Sequence, residues 1–203
     1  MLTREDILGA LKELGDAAQK AGVLVDIAVY GGSAIALEWQ FRTSTRDVDV
    51  VIQGDSAFVR EAAQRIALSR QWPEDWLNDA VKGFVSSRGE HRVYAEFIST
   101  ERHGGLRVFV PTAEYLLAMK CLAMRVSDPE GHDVSDISHL VQSLGLKTVD
   151  EVLGVVEKYY PRDRLSPKIF YGIQEILQAM LPKQEGHHDR PARQPKTASP
   201  KPD

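Results

Sequence analysis

Two adjacent glycines between a strand pattern and a helix pattern constrain the fold of this chain more than any other sequence feature. Residues 23–30 form a β-branched run that ends at Gly31 and Gly32, and residues 33–39 follow with helical character. Glycine permits a sharp turn because it tolerates positive φ angles. The pattern therefore predicts a strand that passes directly into a helix. Backbone amides at the start of such a helix hold a phosphate, with a purely structural turn as the alternative.

Two aspartates occupy alternate positions in the next strand-like run, residues 47–52. A strand directs alternate side chains to one face, so Asp47 and Asp49 project together, roughly 7 Å apart. The two carboxylates repel one another unless a cation lies between them. Paired carboxylates suit Mg²⁺ or Mn²⁺, which prefer oxygen ligands and keep water molecules for substrate phosphates. The alternative is a solvated face on which Arg42 and Arg46 balance the charge.

The glycine turn differs from the common nucleotide-binding motifs. No Gly-Lys-Ser/Thr follows it, as a P-loop requires, and the Gly-x-Gly-x-x-Gly of a Rossmann fold is missing. The next residue, Ser33, either caps the helix or donates a hydrogen bond to a phosphate oxygen. The turn therefore predicts an anion site of another class.

The distribution of strand and helix patterns divides the chain into two parts. Strand-like segments mix with helices up to residue 110, and only helical periodicity follows. We therefore predict an α/β (α+β) protein, with a mixed sheet and flanking helices over residues 1–110 and a helical bundle over 111–181. Residues 182–203 hold five of the ten prolines, and we expect a disordered tail there.

The individual patterns give these expected elements. Helical patterns cover 3–21, 33–39, 56–70, 112–125, 134–144, 149–159 and 166–181. Strand patterns cover 23–30, 47–52, 81–86, 92–99 and 106–110. The loop 71–79 carries Trp72 and Trp76, which either stack a base or pack against the domain junction.

Composition and charge favour a soluble protein. The net charge of −4 argues against a general nucleic-acid coat protein. Cys121 is the single cysteine and lies in an apolar helical pattern, so we expect it in the core. The N-terminus lacks the pattern of a signal peptide, and no apolar run approaches the roughly 20 residues that cross a bilayer. We expect a cytoplasmic protein with no membrane partner.

The glycine turn and the aspartate pair together resemble the signature of the DNA polymerase β-like nucleotidyltransferase superfamily. Within it the chain is most similar to the AbiEii-like group, nucleotidyltransferases often found as toxins of toxin–antitoxin pairs. Residues 111–120 resemble the helix of that group with a functional lysine. Arg125 and residues 133–137 resemble its later motif with paired aspartates. The resemblance covers roughly residues 25–145 and rests on the Gly-Gly-Ser turn, Arg42, Thr45 and the Asp-x-Asp strand.

This resemblance implies an enzyme that transfers an NMP from an NTP to an RNA (tRNA) or protein acceptor, with an antitoxin as a partner. It implies Mg²⁺ or Mn²⁺ at Asp47 and Asp49. The nucleotide-binding residues that we assign with it are Gly31, Gly32, Ser33, Arg46 and Asp136. The assigned catalytic residues are Asp47, Asp49, Glu96 and Lys120.

The pattern of the second half also bears on Lys120. Its helical face is shared with Leu117 and Met124, so the ammonium group either reaches solvent or points into a pocket. Asp133 and Asp136 either pair with Lys120 or Arg125, or act as acids at the start of a helix. We expect Asp136 to face the site.

The superfamily normally supplies a third carboxylate from a neighbouring strand, as general base or further metal ligand. Glu96 interrupts a strand pattern and is the residue that we predict for this role, with Asp79 as the rival. If no third acid faces the aspartate pair, the alternative is a catalytically weak or inactive nucleotidyltransferase-like fold. Such a fold would act as a nucleotide-, RNA- or protein-binding module.

Overall fold

A five-stranded mixed sheet and the helices around it confirm the predicted α/β class. The computed structural model describes residues 1–39, 41–99, 103–125 and 132–181. The strands are β1 (Leu2–Thr3), β2 (Leu24–Tyr30), β3 (Ser44–Thr45), β4 (Val48–Gln53), β5 (Leu77–Asn78), β6 (His91–Ile98) and β7 (Gly105–Pro111). The helices are α1 (Arg4–Ala21), α2 (Gly31–Glu38), α3 (Ser56–Arg70), α4 (Ala113–Ala123), α5 (His132–Ser143), α6 (Val149–Tyr159) and α7 (Pro167–Met180).

The sheet topology brings the glycine turn and the aspartate pair to the same edge. The strand order is β5-β4-β2-β7-β6, and β1 pairs with β3 in a separate small sheet. Strand β2 runs parallel to β7 and antiparallel to β4, while β6 runs antiparallel to β7. Tyr30, the last residue of β2, therefore lies directly across from Asp49 near the start of β4.

One face of the sheet carries the core of the N-terminal half. Ile27, Val29, Val48 and Val50 are fully buried on this face, where helix α1 packs across β6 and β7 and helix α3 contacts β4. Asp49 has the opposite orientation and is only half-buried. The prediction that Asp49 faces the side of the sheet opposite to Val48 and Val50 is therefore confirmed.

Helix α1 begins at a capping box, since the Thr3 hydroxyl accepts from the Asp6 amide and the Asp6 carboxylate accepts from the Thr3 amide. Helix α4 begins after Thr112, whose side chain caps it, and packs against α5 and α6. Cys121 is fully buried in α4, as predicted.

Several boundaries differ from the sequence predictions. The strand predicted over 81–86 is wrong, because a 3₁₀ turn occupies Ala80–Phe84. The side-chain oxygen of Asn78 accepts from the Ala80 amide and starts this turn. Asp47 precedes β4 instead of opening it, and α2 begins at Gly31. The tail predicted for 182–203 lies outside the described residues.

No helix in the described ranges has the length and apolar content that crossing a bilayer requires.

Candidate functional site

A cleft of about 520 Å³ lies between the glycine–aspartate edge of the sheet and helices α4 and α5. The sheet side contributes charged and glycine residues, and the helical side contributes apolar and charged residues. The residues that line it include Gly31, Gly32, Arg42, Arg46, Asp47, Asp49, Val81, Phe84, Leu116, Met119, Lys120, Ala123, Arg125, His132 and Asp133. Most of the predicted site residues thus meet in one place.

The aspartate pair is uncompensated in the sense that neither carboxylate forms an ion pair with a residue that the structure describes. Asp47 accepts a hydrogen bond of 3.0 Å from the Asn78 side-chain amide. Asp49 forms no hydrogen bond or ion pair with any residue that the structure describes. Burial and the charge of Asp47 raise the pKa of Asp49 to about 6, although Lys120 partly opposes them. A cation between the two carboxylates would relieve this repulsion.

Both glycines make room for charged side chains of the chain itself. Gly31 has a φ of +61°, and a Cβ atom there would lie 2.6 Å from Oδ2 of Asp49. A Cβ atom at Gly32 would lie 2.7 Å from Cζ of Arg42. A larger residue at either position would displace Asp49 or Arg42 from the cleft. The sequence predicts that the glycines let backbone amides approach a phosphate. The structure adds a second reason for glycine, which is the space that Asp49 and Arg42 occupy.

Ser33 does not face the cleft, contrary to the expectation that it cradles a phosphate. Its hydroxyl donates a 2.7 Å hydrogen bond to the Tyr30 carbonyl, and the residue is buried. The bond closes the tight passage from β2 to α2. Arg46, by contrast, is exposed and lines the cleft.

A buried network of charges connects the two sides of the cleft. Nζ of Lys120 lies 2.7 Å from Oδ2 of Asp136 and 3.4 Å from Oδ1 of Asp133. Arg42, from the loop after α2, donates to the same Asp136 oxygen at 3.0 Å. Arg125 donates to Asp133 at 3.0 Å. Lys120 therefore points into the protein instead of reaching out to solvent, with a side-chain exposure of 12%.

The two helix aspartates have different positions relative to the cleft. Asp133 lines it, whereas Asp136 lies behind Lys120 and Arg42 with 2% of its surface exposed. Burial raises the pKa of Asp133, but the hydrogen bond from Arg125 and the charge of Lys120 outweigh burial and lower it. Asp136 therefore holds two cations in position and does not itself face a ligand.

Glu96 is not brought together with the aspartate pair. It lies across from Arg107 of β7, which forms a two-bond ion pair with Asp26 of β2. Asp26 in turn lies across from Gln53 of β4. Gln53 is four residues from Asp49, so this line of cross-strand neighbours lies roughly 13 Å along the strand from Asp49. The hairpin register therefore directs Glu96 to the far end of the sheet, and the sequence pattern could not fix that register.

Asp79, the rival for the third carboxylate, also has other partners. It pairs with Arg60 at 3.0 Å and with Lys82 at 2.5 Å and lies on a separate, smaller cleft. Its ion pairs with these two exposed cations lower its pKa. Neither candidate acid lines the main cleft.

Phe84 is an aromatic residue that lines the cleft, and sequence reasoning missed it. Trp76 is fully buried and donates to the Ala63 carbonyl, and Trp72 packs against it edge to face. These tryptophans pack in the fold and do not line the main cleft. Phe84 was assigned to a strand, although the glycine before it is a turn signal that could have revealed its exposure.

Among the described residues, no group of three or more His, Cys, Asp or Glu side chains is arranged to hold a metal. Two carboxylates nevertheless fit Mg²⁺, which commonly binds through one or two carboxylates together with substrate phosphates and water. Comparisons with protein-family models, curated proteins and solved structures gave no match.

Proposed function

We propose that this protein is a metal-dependent nucleotidyltransferase that transfers an NMP from an NTP to an RNA (tRNA) or protein acceptor. The observation that carries the proposal is the convergence of an uncompensated aspartate pair, a glycine turn at a helix start, and buried cations in one cleft. A metal–triphosphate complex needs both signs of charge side by side, because the ion binds carboxylates and the phosphates bind cations. Its resemblance to toxin nucleotidyltransferases extends the proposal to a toxin with a cognate antitoxin.

The residues of the cleft divide the work as follows. Asp47 and Asp49 would hold Mg²⁺ or Mn²⁺, which neutralises charge on the transferred phosphate and helps to orient the attacking oxygen. Backbone amides after Gly31 would bind phosphate oxygens at the start of α2. Lys120, held by Asp136, would place its ammonium group near the triphosphate and offset its charge.

The transfer itself is an in-line displacement. An acceptor hydroxyl oxygen attacks the α-phosphorus, the bond to pyrophosphate breaks, and the hydroxyl proton passes to solvent. The protein contributes mainly by positioning the two reactants and by stabilising charge, which are the large terms for phosphoryl chemistry.

A second function has one specific observation in its favour. Within the described part of the cleft, Asp133 is the other carboxylate beside the pair, and it is ion-paired with Lys120 and Arg125. A site with two uncommitted carboxylates binds a metal nucleotide without a protein base to accept the proton. The chain would then be a nucleotide-binding module with little or no turnover.

One labelling experiment separates these functions. The purified protein is incubated with Mg²⁺, each α-³²P-labelled NTP and total tRNA, in parallel with Asp47→Asn/Asp49→Asn. The matched control is Asp150→Asn/Asp163→Asn, which removes two exposed carboxylates away from the cleft. We expect label on tRNA or on protein with the wild type and the control, and a loss of more than about 10³-fold with the cleft variant.

Equal labelling by the cleft variant would contradict the transferase proposal. Nucleotide binding that depends on Asp47 and Asp49, with no labelled acceptor, would favour the binding module. Thermal unfolding of all three proteins shows whether a loss of labelling reflects a loss of folded protein.

A further inference from the structure

The cleft has an apolar part beside its charged part. Val81 and Phe84 come from the 3₁₀ turn, and Leu116, Met119 and Ala123 come from α4. Their side chains offer no N–H or O–H group. A ligand that fills the cleft must therefore carry charge at one end and a flat or apolar group at the other.

Phe84 is the exposed member of this apolar part. Its exposure is 36%, whereas Leu116 and Met119 are buried beneath the cleft surface. The turn that carries Phe84 is anchored by its main chain: the Tyr160 hydroxyl donates to the Phe84 carbonyl, and Arg164 donates to the Gly83 carbonyl at 3.2 Å. The phenyl ring is thus not needed to hold the turn in place, and it remains available to a ligand.

We propose that Phe84 is the platform on which the base of a bound nucleoside triphosphate stacks, an inference that rests on the proposed function. The charged part of the cleft alone would accept any polyphosphate, so the aromatic ring is what selects a nucleotide. The cleft of about 520 Å³ lies within the usual range for small-molecule sites. Every base has a π-face, so stacking on Phe84 tolerates all four bases.

The chemistry of the apolar part also limits base selectivity. Selection of one base requires hydrogen-bonding groups that match its edge, and these side chains supply none. We expect the four NTPs to bind with affinities within about tenfold of one another, because stacking alone differs little between bases.

Calorimetric titration with two probes tests this inference. Each Mg²⁺–NTP and Mg²⁺–tripolyphosphate, which lacks a base, is titrated into the wild type, Phe84→Ala and Phe170→Ala. Phe170 is a matched control because it is 42% exposed on α7, away from the cleft. We expect Phe84→Ala to weaken every NTP about 10-fold, with the tripolyphosphate affinity changed less than about twofold. Phe170→Ala should leave both affinities unchanged.

A second variant guards against misfolding. Phe84→Trp preserves stacking, so NTP affinity should be retained, and its added fluorescence should be quenched by NTP and not by tripolyphosphate. Equal weakening of both probes in Phe84→Ala, or an unchanged NTP affinity, overturns the inference. A preference above about 100-fold for one base overturns it as well, because stacking alone does not discriminate so strongly.

The outcomes distinguish this inference from the proposed function. Base-dependent binding through Phe84 with no acceptor labelled supports the platform and contradicts transfer. Labelled acceptor with NTP affinity unchanged in Phe84→Ala supports transfer and contradicts the platform. A wild type that binds no nucleotide contradicts both.

Discussion

The two aspartate pairs of this protein have opposite electrostatic environments. Asp47 precedes β4 and Asp49 is the second residue of that strand, and burial together with the charge of Asp47 raises the pKa of Asp49 to about 6. Asp133 and Asp136, one turn apart on α5, are paired with Lys120 and with arginines, and the pKa of Asp133 is lowered. The described residues therefore form ion pairs with the second pair and none with the first, where the charge of Lys120 only partly opposes the raised pKa of Asp49.

This difference distinguishes carboxylates that stabilise the fold through ion pairs from carboxylates that are available to bind a ligand. A compensated pair stabilises the fold and fixes Lys120 beside the cleft. An uncompensated pair costs stability in the free protein, and this cost is recovered when a cation binds. Variants that remove one carboxylate at a time test this contrast through their stability.

The largest expected effect comes from breaking the compensated pair. Asp136→Asn leaves Arg42 without its buried carboxylate and weakens the hold on Lys120, so the free energy of unfolding should fall by about 3 kcal/mol. Urea denaturation measures this change. The control is Asp79→Asn, which breaks two exposed ion pairs and should change the stability far less. An equal loss of unfolding free energy in both variants would show that the buried ion pairs stabilise the fold no more than the exposed ones.

Asp49→Asn should have the opposite sign. A carboxyl with a raised folded-state pKa favours the folded state while protonated, so the contribution of Asp49 to the stability falls as pH rises from 3.8 to about 6. Above pH 6 the variant should be more stable than the wild type by about 2 kcal/mol, after allowance for partial exposure, and the two should be equal below about pH 4. Urea denaturation across this range measures the difference. A destabilised Asp49→Asn at pH 7 would indicate a structural role instead.

Two further measurements sharpen that result. Mg²⁺ at pH 7.5 should raise the melting temperature of the wild type and not that of Asp49→Asn, because ligand binding stabilises only a competent site. Asp133 should show the reverse pH dependence, since its lowered pKa contributes stability above pH 3.8 that is lost as pH falls.

A smaller effect is expected from the glycine that accommodates Asp49. Gly31→Ala places a Cβ atom 2.6 Å from Oδ2 of Asp49 in a residue with a φ of +61°, so it should cost about 1–2 kcal/mol. It should also weaken Mg²⁺ binding, because Asp49 must move. The control is Gly154→Ala in helix α6, where a Cβ atom meets nothing within 4 Å and where alanine should stabilise the helix slightly. Unchanged Mg²⁺ affinity in Gly31→Ala would show that the position of Asp49 in the metal site does not depend on a glycine at residue 31.

Local sequence patterns predict those features of the site that depend only on residues close together in the sequence. The alternation of Asp47 and Asp49 and the helical phase of Lys120 follow from strand and helix periodicity alone. The pairing of Arg42 with Asp136, 94 residues apart, depends on how the helices dock against the sheet. The turn at Phe84 begins where the Ala80 amide donates a hydrogen bond to the Asn78 side-chain oxygen, and this bond competes with the strand propensity of the segment.

The smallest expected effect belongs to Glu96, and it tests whether the aspartate pair works without a third acid from the sheet. Glu96 is exposed and adjoins Arg107 at the far end of the sheet from Asp49. Glu96→Gln should therefore change the rate of labelling less than about twofold and the free energy of unfolding by less than about 0.5 kcal/mol. The labelling assay and urea denaturation measure these values in parallel. A loss of labelling with unchanged stability would show that Glu96 takes part in the transfer. It would also mean that the open face of the sheet, and not the cleft alone, binds the acceptor.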